Sequence, residues 1–186
     1  MSTLPSGHFV LTAMEAALDE ARLAARAGEV PVGAVLMNTA SGEILLRSQN
    51  RMRRDGNATS HAELLLLREA SKLTGLQASE APKAYQDNEG CENSRGPAKR
   101  PAAIDPGECT LVVTLEPCAM CAGAIVLSRV GKLVFGAWDD KAGMCGSVGD
   151  IVRHPRLNHR PQVTGGVMAE ESAGLLREFF RERRDS

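Results

Sequence analysis

The sequence predicts a layered α/β domain. Five short apolar runs read as strands, four longer stretches read as helices, and the two kinds mostly alternate along the chain. At 186 residues the chain fits one domain, 1–186, with enough interior for a sizeable core.

Thr12-Ala-Met-Glu15 opens an Ala-rich run that stops at Gly28, so a capping box and a glycine stop bound a first helix. Val32 to Met37 reads as a buried strand and Glu43 to Arg47 as a second. The turn residues from Asn38 to Gly42 make the two a hairpin. Leucine-rich His61 to Ala70, entered through Thr59 and Ser60, is a short helix. Thr110 to Leu115 is a third strand. Pro117 suits the first turn of the helix after it, where a missing N–H costs nothing. Lys132 to Ala137 and Gln162 to Val167 complete the strands, and Ala169 to Arg184 forms the last helix. Residues 71–109 differ in kind. They hold Pro82, Gly90, Gly96, Pro97, Pro101, Pro106 and Gly107 among polar residues, with no sustained period, and are expected to form a long surface loop.

Composition sets limits on partners. A net charge of −1 rules out a uniformly basic surface, so any nucleic-acid contact must come from local patches. Three arginine groups qualify: Arg47, Arg51, Arg53 and Arg54; Arg153, Arg156 and Arg160; Arg177, Arg181, Arg183 and Arg184. The alternative for each is a solvated face paired with nearby acids, and for the last group Glu178, Glu182 and Asp185 make that reading equally good. The longest apolar stretch, Ala119 to Leu127, is too short to span a bilayer. No basic segment followed by an apolar core marks the N-terminus, so a cytoplasmic location without membrane attachment is expected. Five cysteines, an odd number, argue against a disulfide framework and leave thiols free to bind metal. The spacing of Cys91 and Cys109 suggests no metal site.

The chemical signal is His61-Ala62-Glu63 followed by Pro117-Cys118-Ala119-Met120-Cys121. Each half alone has an ordinary reading. Ser60-x-x-Glu63 could be a capping box, and Cys118 and Cys121 could be small buried residues. Together, both halves stand at helix N-termini, where free N–H groups and the helix dipole favour thiolates. One histidine and two cysteines give three donors, leaving a tetrahedral zinc one open position. His154 and His159 could close it, but neither lies at a recommending distance in sequence. Glu63, two residues beyond His61, is placed to shuttle protons rather than to bind the metal.

With these residues the chain resembles the zinc nucleoside and nucleobase deaminases of the cytidine deaminase fold, whose H-x-E…P-C-x-x-C signature the two halves reproduce. The likeness is densest over Thr114 to Val126 and Phe135 to Lys141, and continues through Gly146-Ser147, Leu157-Asn-His159 and Phe179 to Arg184. Those segments, with Glu29 to Val35 and Asn50-Arg51, resemble the bacterial branch that acts on tRNA adenosine. The resemblance implies a three-layer α/β/α fold around a five-stranded mixed sheet, a homodimer, and one zinc per subunit on His61, Cys118 and Cys121. It implies Glu63 as proton shuttle and deamination of a wobble adenosine in tRNA, an arginine tRNA with an ACG anticodon first of all. Asn50 would hydrogen-bond the base, with Val32 and Leu115 packed against it. Asp139 and Lys141 would meet the flanking nucleotide, and Phe179, Arg181 and Arg184 the anticodon loop. A helix packing its apolar face on the sheet is the alternative for Phe179 and Phe180.

The chain departs from this pattern in the long 71–109 segment and at Met144 and Cys145, where alanine-like residues are expected. The rival function is deamination of free guanine or cytosine on the same fold, which the metal site alone does not separate. The deaminase of riboflavin synthesis is disfavoured because its second cysteine is spaced much farther away. A non-catalytic zinc-stabilised RNA-binding subunit is disfavoured by the presence of Glu63.

Overall fold

A computed structural model describes residues 7–73 and 104–184. The first helix, α1 (Gly7–Arg26), leads into an antiparallel hairpin of β1 (Gly33–Asn38) and β2 (Ile44–Gln49). Then follow α2 (Ala62–Leu73), β3 (Cys109–Leu115), α3 (Ala119–Leu127), β4 (Lys132–Ala137), β5 (Gln162–Gly165) and α4 (Ala169–Arg184). The strands form one sheet in the order β2-β1-β3-β4-β5. β1 runs antiparallel to β2 and β3, whereas β3, β4 and β5 are mutually parallel, so the five-stranded mixed sheet is present as expected.

Period-two alternation divides the sheet between two cores. Ala34, Leu36, Leu111, Val113, Leu133 and Phe135 face α2 and α3, meeting Ala62, Leu66, Ala122 and Ile125. Val35, Met37, Val112 and Val134 face the other way, against Ala13, Met14, Ala17 and Leu18 of α1, with Leu175 of α4 beside them. Strands buried on both faces are runs of apolar residues rather than alternating ones, which is why β3 and β4 are legible as buried strands.

Several boundaries differ from expectation for identifiable reasons. Helix α1 starts at Gly7, so Thr12 is an exposed mid-helix residue and not its cap. Phe9 and Val10 pack on the α1 core, and the Phe9 ring lies over Gly42 of the hairpin turn, which extends the helix upstream. Its end is as expected: Gly28 sits at φ 76°, and the Glu29 N–H donates to the Ala24 carbonyl. Pro117 lies outside its helix. Cys118 is the N-cap, extended at φ −70° and ψ 175°, because the Pro117 carbonyl accepts the Met144 N–H and Cys118 bridges to Gly143. Strand β5 stops at Gly165, where Gly166 turns the chain at φ 87°.

The 71–109 segment is not loop at its ends. Helix α2 continues to Leu73, whose carbonyl accepts the Ile104 N–H, and Pro106–Glu108 forms a 3-10 turn leading into β3. Residues 74–103, with Cys91, lie outside the described residues. No helix among the described residues is long and apolar enough to cross a membrane.

Gly33 sets the spacing of α1 on the sheet, because a Cβ there would overlap the Ala17 carbonyl. A backbone atom in mid-helix cannot swing aside, so Gly33→Ala is expected to destabilise by about 1–3 kcal/mol, as overpacking does. Thermal melts of the variant and parent check this, with the variant melting lower.

Candidate metal centre

Sheet topology gathers the site at one edge. The register pairs Gly33 with Gln49, Ala34 with Val113, and Leu115 with Ala137. The start of β1, the end of β2 and the carboxyl ends of β3 and β4 therefore open on the same side. Val32, Asn50, Leu115 and Asp139 leave the sheet there, at the strand ends where α/β sheets hold ligands. The Asn50 N–H donates to the Val32 carbonyl, which ties those two segments together. Asn50 is 4% exposed, and Val32, Leu115 and Ala62 belong to one apolar cluster.

Helices α2 and α3 bring their N-termini to this edge. His61 immediately precedes α2 and accepts the Leu65 N–H at its carbonyl, while Cys118 caps α3 and Cys121 lies in its first turn. The His61 Nδ1 atom is 3.8 Å from Cys118 Sγ and 3.5 Å from Cys121 Sγ. All three donor atoms lie within 4.8 Å of one another, and no other group of this kind occurs among the described residues. Donors about 2.0 and 2.3 Å from a tetrahedral zinc would stand roughly 3.5–3.8 Å apart, so the set fits that ion. Neither remaining candidate closes it: His159 Nε2 is engaged with the Val130 carbonyl at 2.7 Å, and His154 is exposed.

The electrostatics are those of a donor set sharing protons. Hydrogen bonds from Cys121 and His61 hold the Cys118 thiol down at about 3. The same contact with Cys118, then burial, pushes Cys121 up. The hydrogen bond to Cys118 raises His61 against the opposing effect of burial. Glu63 is 3% exposed, and burial pushes its carboxyl up. Its Oε2 is buried with no hydrogen-bond partner among the described residues. The reciprocal capping box is not formed, since the Ser60 N–H that Glu63 would have to receive donates to the Asn57 carbonyl at 3.1 Å.

The other expected site residues divide. Asp139 is half-buried and folds back on its own turn, its Oδ1 accepting the N–H groups of Lys141 at 3.0 Å and Ala142 at 3.2 Å, while Lys141 is exposed. Phe179 is 7% exposed, with the Arg183 guanidinium 4.4 Å from its ring centroid, whereas Phe180 is 46% exposed. Packing thus accounts for Phe179, and Phe180 is the ring that faces outward. Arg181 and Arg184 are exposed and form no ion pair among the described residues. Arg183 instead donates to the Gly28 carbonyl, which also receives Arg53. Helix α4 lies on the α1 face of the sheet, opposite the metal-ligand helices, and the Gly28 carbonyl joins its end to the turn after Asn50.

Two buried carboxylates beside the site escape sequence reasoning. Glu29 accepts the N–H groups of Arg53 at 3.1 Å and Arg54 at 2.7 Å, holding the turn after Asn50. Glu116 does the same for the segment carrying Asp139. Burial would raise its carboxyl, but the Ser147 hydroxyl and the N–H groups of Asp139, Ser147 and Cys145 hold it below the usual range. The one available signal is an acid set in an apolar run, Gly28-Glu-Val-Pro-Val32 and Val113-Thr-Leu-Glu-Pro117. Cys145 is buried and lies outside the donor cluster; burial chiefly pushes its thiol up to about 12. Cys109 is likewise raised to about 11, with burial as the main cause.

Residues 9–137 match the family profile of the cytidine and deoxycytidylate deaminase zinc-binding region. The chain is 40% identical to a tRNA-specific adenosine deaminase of Bacillus subtilis, over 92% of this chain and 88% of that one. It is 39% identical to the one from Agrobacterium fabrum, over 92% and 93%. A tRNA(Ile)-lysidine synthase of Deinococcus radiodurans is 45% identical over 92% of this chain, which spans only 25% of that protein. Among solved structures, one from a study of A-to-I editing by tRNA:A34 deaminases superposes with TM-score 0.66 at 35% identity, over 89% of this chain and 99% of that one. A guanine deaminase from Nitrosomonas europaea superposes with TM-score 0.60 at 25% identity, over 95% and 86%. By the profile match and by these relatives, the chain belongs to the zinc-binding cytidine and deoxycytidylate deaminase family.

Proposed function

We propose that this chain hydrolyses the amino group of the wobble adenosine in a tRNA anticodon, giving inosine and ammonia, as a single deaminase domain over 1–186. The chemistry is carried by one observation, the buried and unpartnered Glu63 Oε2 beside a three-donor metal cluster. The tRNA substrate is supported by likeness to tRNA-specific adenosine deaminases along nearly the whole of both chains. An arginine tRNA with an ACG anticodon is the first substrate we would assign. A homodimer and a cytoplasmic location complete the reading.

His61, Cys118 and Cys121 would hold one zinc per subunit. Zinc on three donors supplies a Lewis acid with one open position, able to activate water near neutral pH. Glu63 takes a proton at Oε2 and gives it to the purine ring nitrogen, then moves a second to the departing amino group. Its raised carboxyl suits a group that must both accept and release protons. Asn50 orients the base between Val32 and Leu115. Asp139, Lys141, Arg181 and Arg184 meet the surrounding RNA, and Phe179 serves mainly by anchoring the helix that presents those arginines.

The direct test is incubation with an ACG anticodon stem-loop, reading inosine at the wobble position. Efficient turnover is expected there, with almost none on free adenosine, guanine or cytosine, because contacts remote from the reacting carbon align the base. Ready turnover of free guanine or cytosine with the stem-loop ignored would give the function to the rival reading.

Glu63→Gln is expected to keep its zinc and lose at least about 10²–10⁴-fold in turnover, the usual worth of general acid–base catalysis. Near-normal activity at full zinc content would remove Glu63 from this role. Elemental analysis of purified Cys121→Ser should show zinc well below one per chain, and Cys145→Ser should match the parent. Replacing Arg181 and Arg184 together by alanine should spare zinc and weaken stem-loop binding. It should also flatten the plot of log affinity against log salt by roughly 0.7 for each RNA phosphate the protein ceases to neutralise.

A further inference from the structure

Glu116 stands between Leu115, the last residue of β3, and Pro117-Cys118, and it is 2% exposed. A buried carboxylate without partners is costly, so its surroundings show what it is for. Both of its oxygens point across to a single segment. Oε1 accepts the N–H groups of Cys145 at 2.9 Å and Ser147 at 3.0 Å. Oε2 accepts the Asp139 N–H at 3.0 Å and the Ser147 hydroxyl. The segment closes around the carboxylate so tightly that a Cβ on Gly143 would collide with it. Backbone contacts fasten the same segment beside Cys118: Met144 N–H to the Pro117 carbonyl at 2.9 Å, and the bridge between Gly143 and Cys118. Asp139 then continues the turn by accepting the N–H groups of Lys141 and Ala142. This stretch of chain, from Trp138 to Ser147, contains no helix and no strand.

We propose that Glu116 is a positioning residue for the reaction: its carboxylate clamps residues 138–147 so that Asp139 and Lys141 are held at a fixed place beside the Cys118 end of α3. The inference rests on the proposed function, in which those two residues meet the RNA. A carboxylate suits the task because all four of its partners are donors and it has none of its own. Glutamine at this position keeps the shape but turns one oxygen into an NH2 group facing donors, breaking half of the clamp. A simple helix cap or core filler would need no such convergence of N–H groups from residues 139, 145 and 147 on one side chain.

Glu116→Gln is tested in the zinc-loaded full chain with three measurements. Zinc content and melting establish that the variant is folded. Backbone amide exchange is expected to accelerate at Asp139, Cys145 and Ser147 while the sheet amides keep their protection. On the anticodon stem-loop, kcat/KM is expected to fall by roughly 10–100-fold, the usual cost of losing a group that supports a site without touching substrate. That loss should not add to the loss in Asp139→Ala, because both act through the same turn. Unchanged exchange at the three amides, parental kcat/KM, or full additivity with Asp139→Ala would each overturn the proposal. If Glu116→Gln does not fold, Ser147→Ala removes only the hydroxyl donor. It should then give a smaller loss of the same kind, and an unchanged kcat/KM and exchange pattern would overturn the clamp. A parent enzyme inactive on the stem-loop would overturn the tRNA reading instead, and the exchange comparison would still decide whether the clamp exists.

Discussion

Three donor atoms, contributed by chain segments 57 and 60 residues apart, must meet within 4.8 Å, and the rest of the structure is arranged around that requirement. Two helices have to present their N-termini to one point. The parallel pair of β3 and β4 allows this, since the chain leaves β3 at the site edge, enters α3 there, and returns below the sheet to begin β4. The antiparallel hairpin contributes from the same edge by the opposite device, ending β2 and beginning β1 there. Moving the register of β1 on β3 by one residue would turn Leu36 and Val35 to the wrong cores and shift the Val32 side of the pocket. The metal centre and the sheet register are therefore one constraint.

Burial of charge separates chemistry from support. Glu29, Glu63 and Glu116 are all 2–3% exposed, a costly place for a carboxylate. Glu29 and Glu116 recover that cost through backbone N–H groups aimed at both oxygens, and each thereby fixes a turn beside the pocket. Glu63 keeps one oxygen unpartnered and is held above the ordinary carboxylate range by burial. An acid with unfilled hydrogen-bonding capacity next to a metal-donor cluster suits the proton-carrying role proposed for Glu63. The distinction could not be drawn from residue type, because all three are glutamates in apolar sequence.

Sequence pattern carries the architecture well where burial alone decides. Lys132 to Ala137 and Ala169 to Arg184 have the bounds expected, because an uninterrupted apolar run and an amphipathic period leave one solution. It carries less where a distant contact overrides a local rule. Thr12 and Glu15 form a sound capping pattern, yet Phe9 resting on Gly42 continues the helix past it. Pro117 is a good first-turn residue, yet a bond from Met144 keeps its chain extended. Of the site, the zinc donors and Glu63 are legible because the chemistry dictates residue type and spacing. Glu29 and Glu116 are not, because their partners are backbone N–H groups, which every residue but proline has.

The division of the fold into two faces bears on how a large substrate could be held without disturbing the centre. Helices α2 and α3 share a core with Val32 and Leu115, so the metal donors and these two residues are held by the same packing. Helix α4 packs in the other core through Leu175, buries Phe179 beneath the Arg183 guanidinium, and leaves Phe180, Arg181 and Arg184 outward. One link between the two sides is the Gly28 carbonyl, which accepts Arg183 from the end of α4 and Arg53 from the turn after Asn50. Two guanidinium groups on one neutral acceptor draw the outer helix and the base-side turn to a common point, without placing a buried charge between them. In the proposed function, contacts made by RNA along α4 would reach the turn after Asn50 through these two exposed arginine–carbonyl hydrogen bonds. The metal donors, carried in the other core, would not have to move.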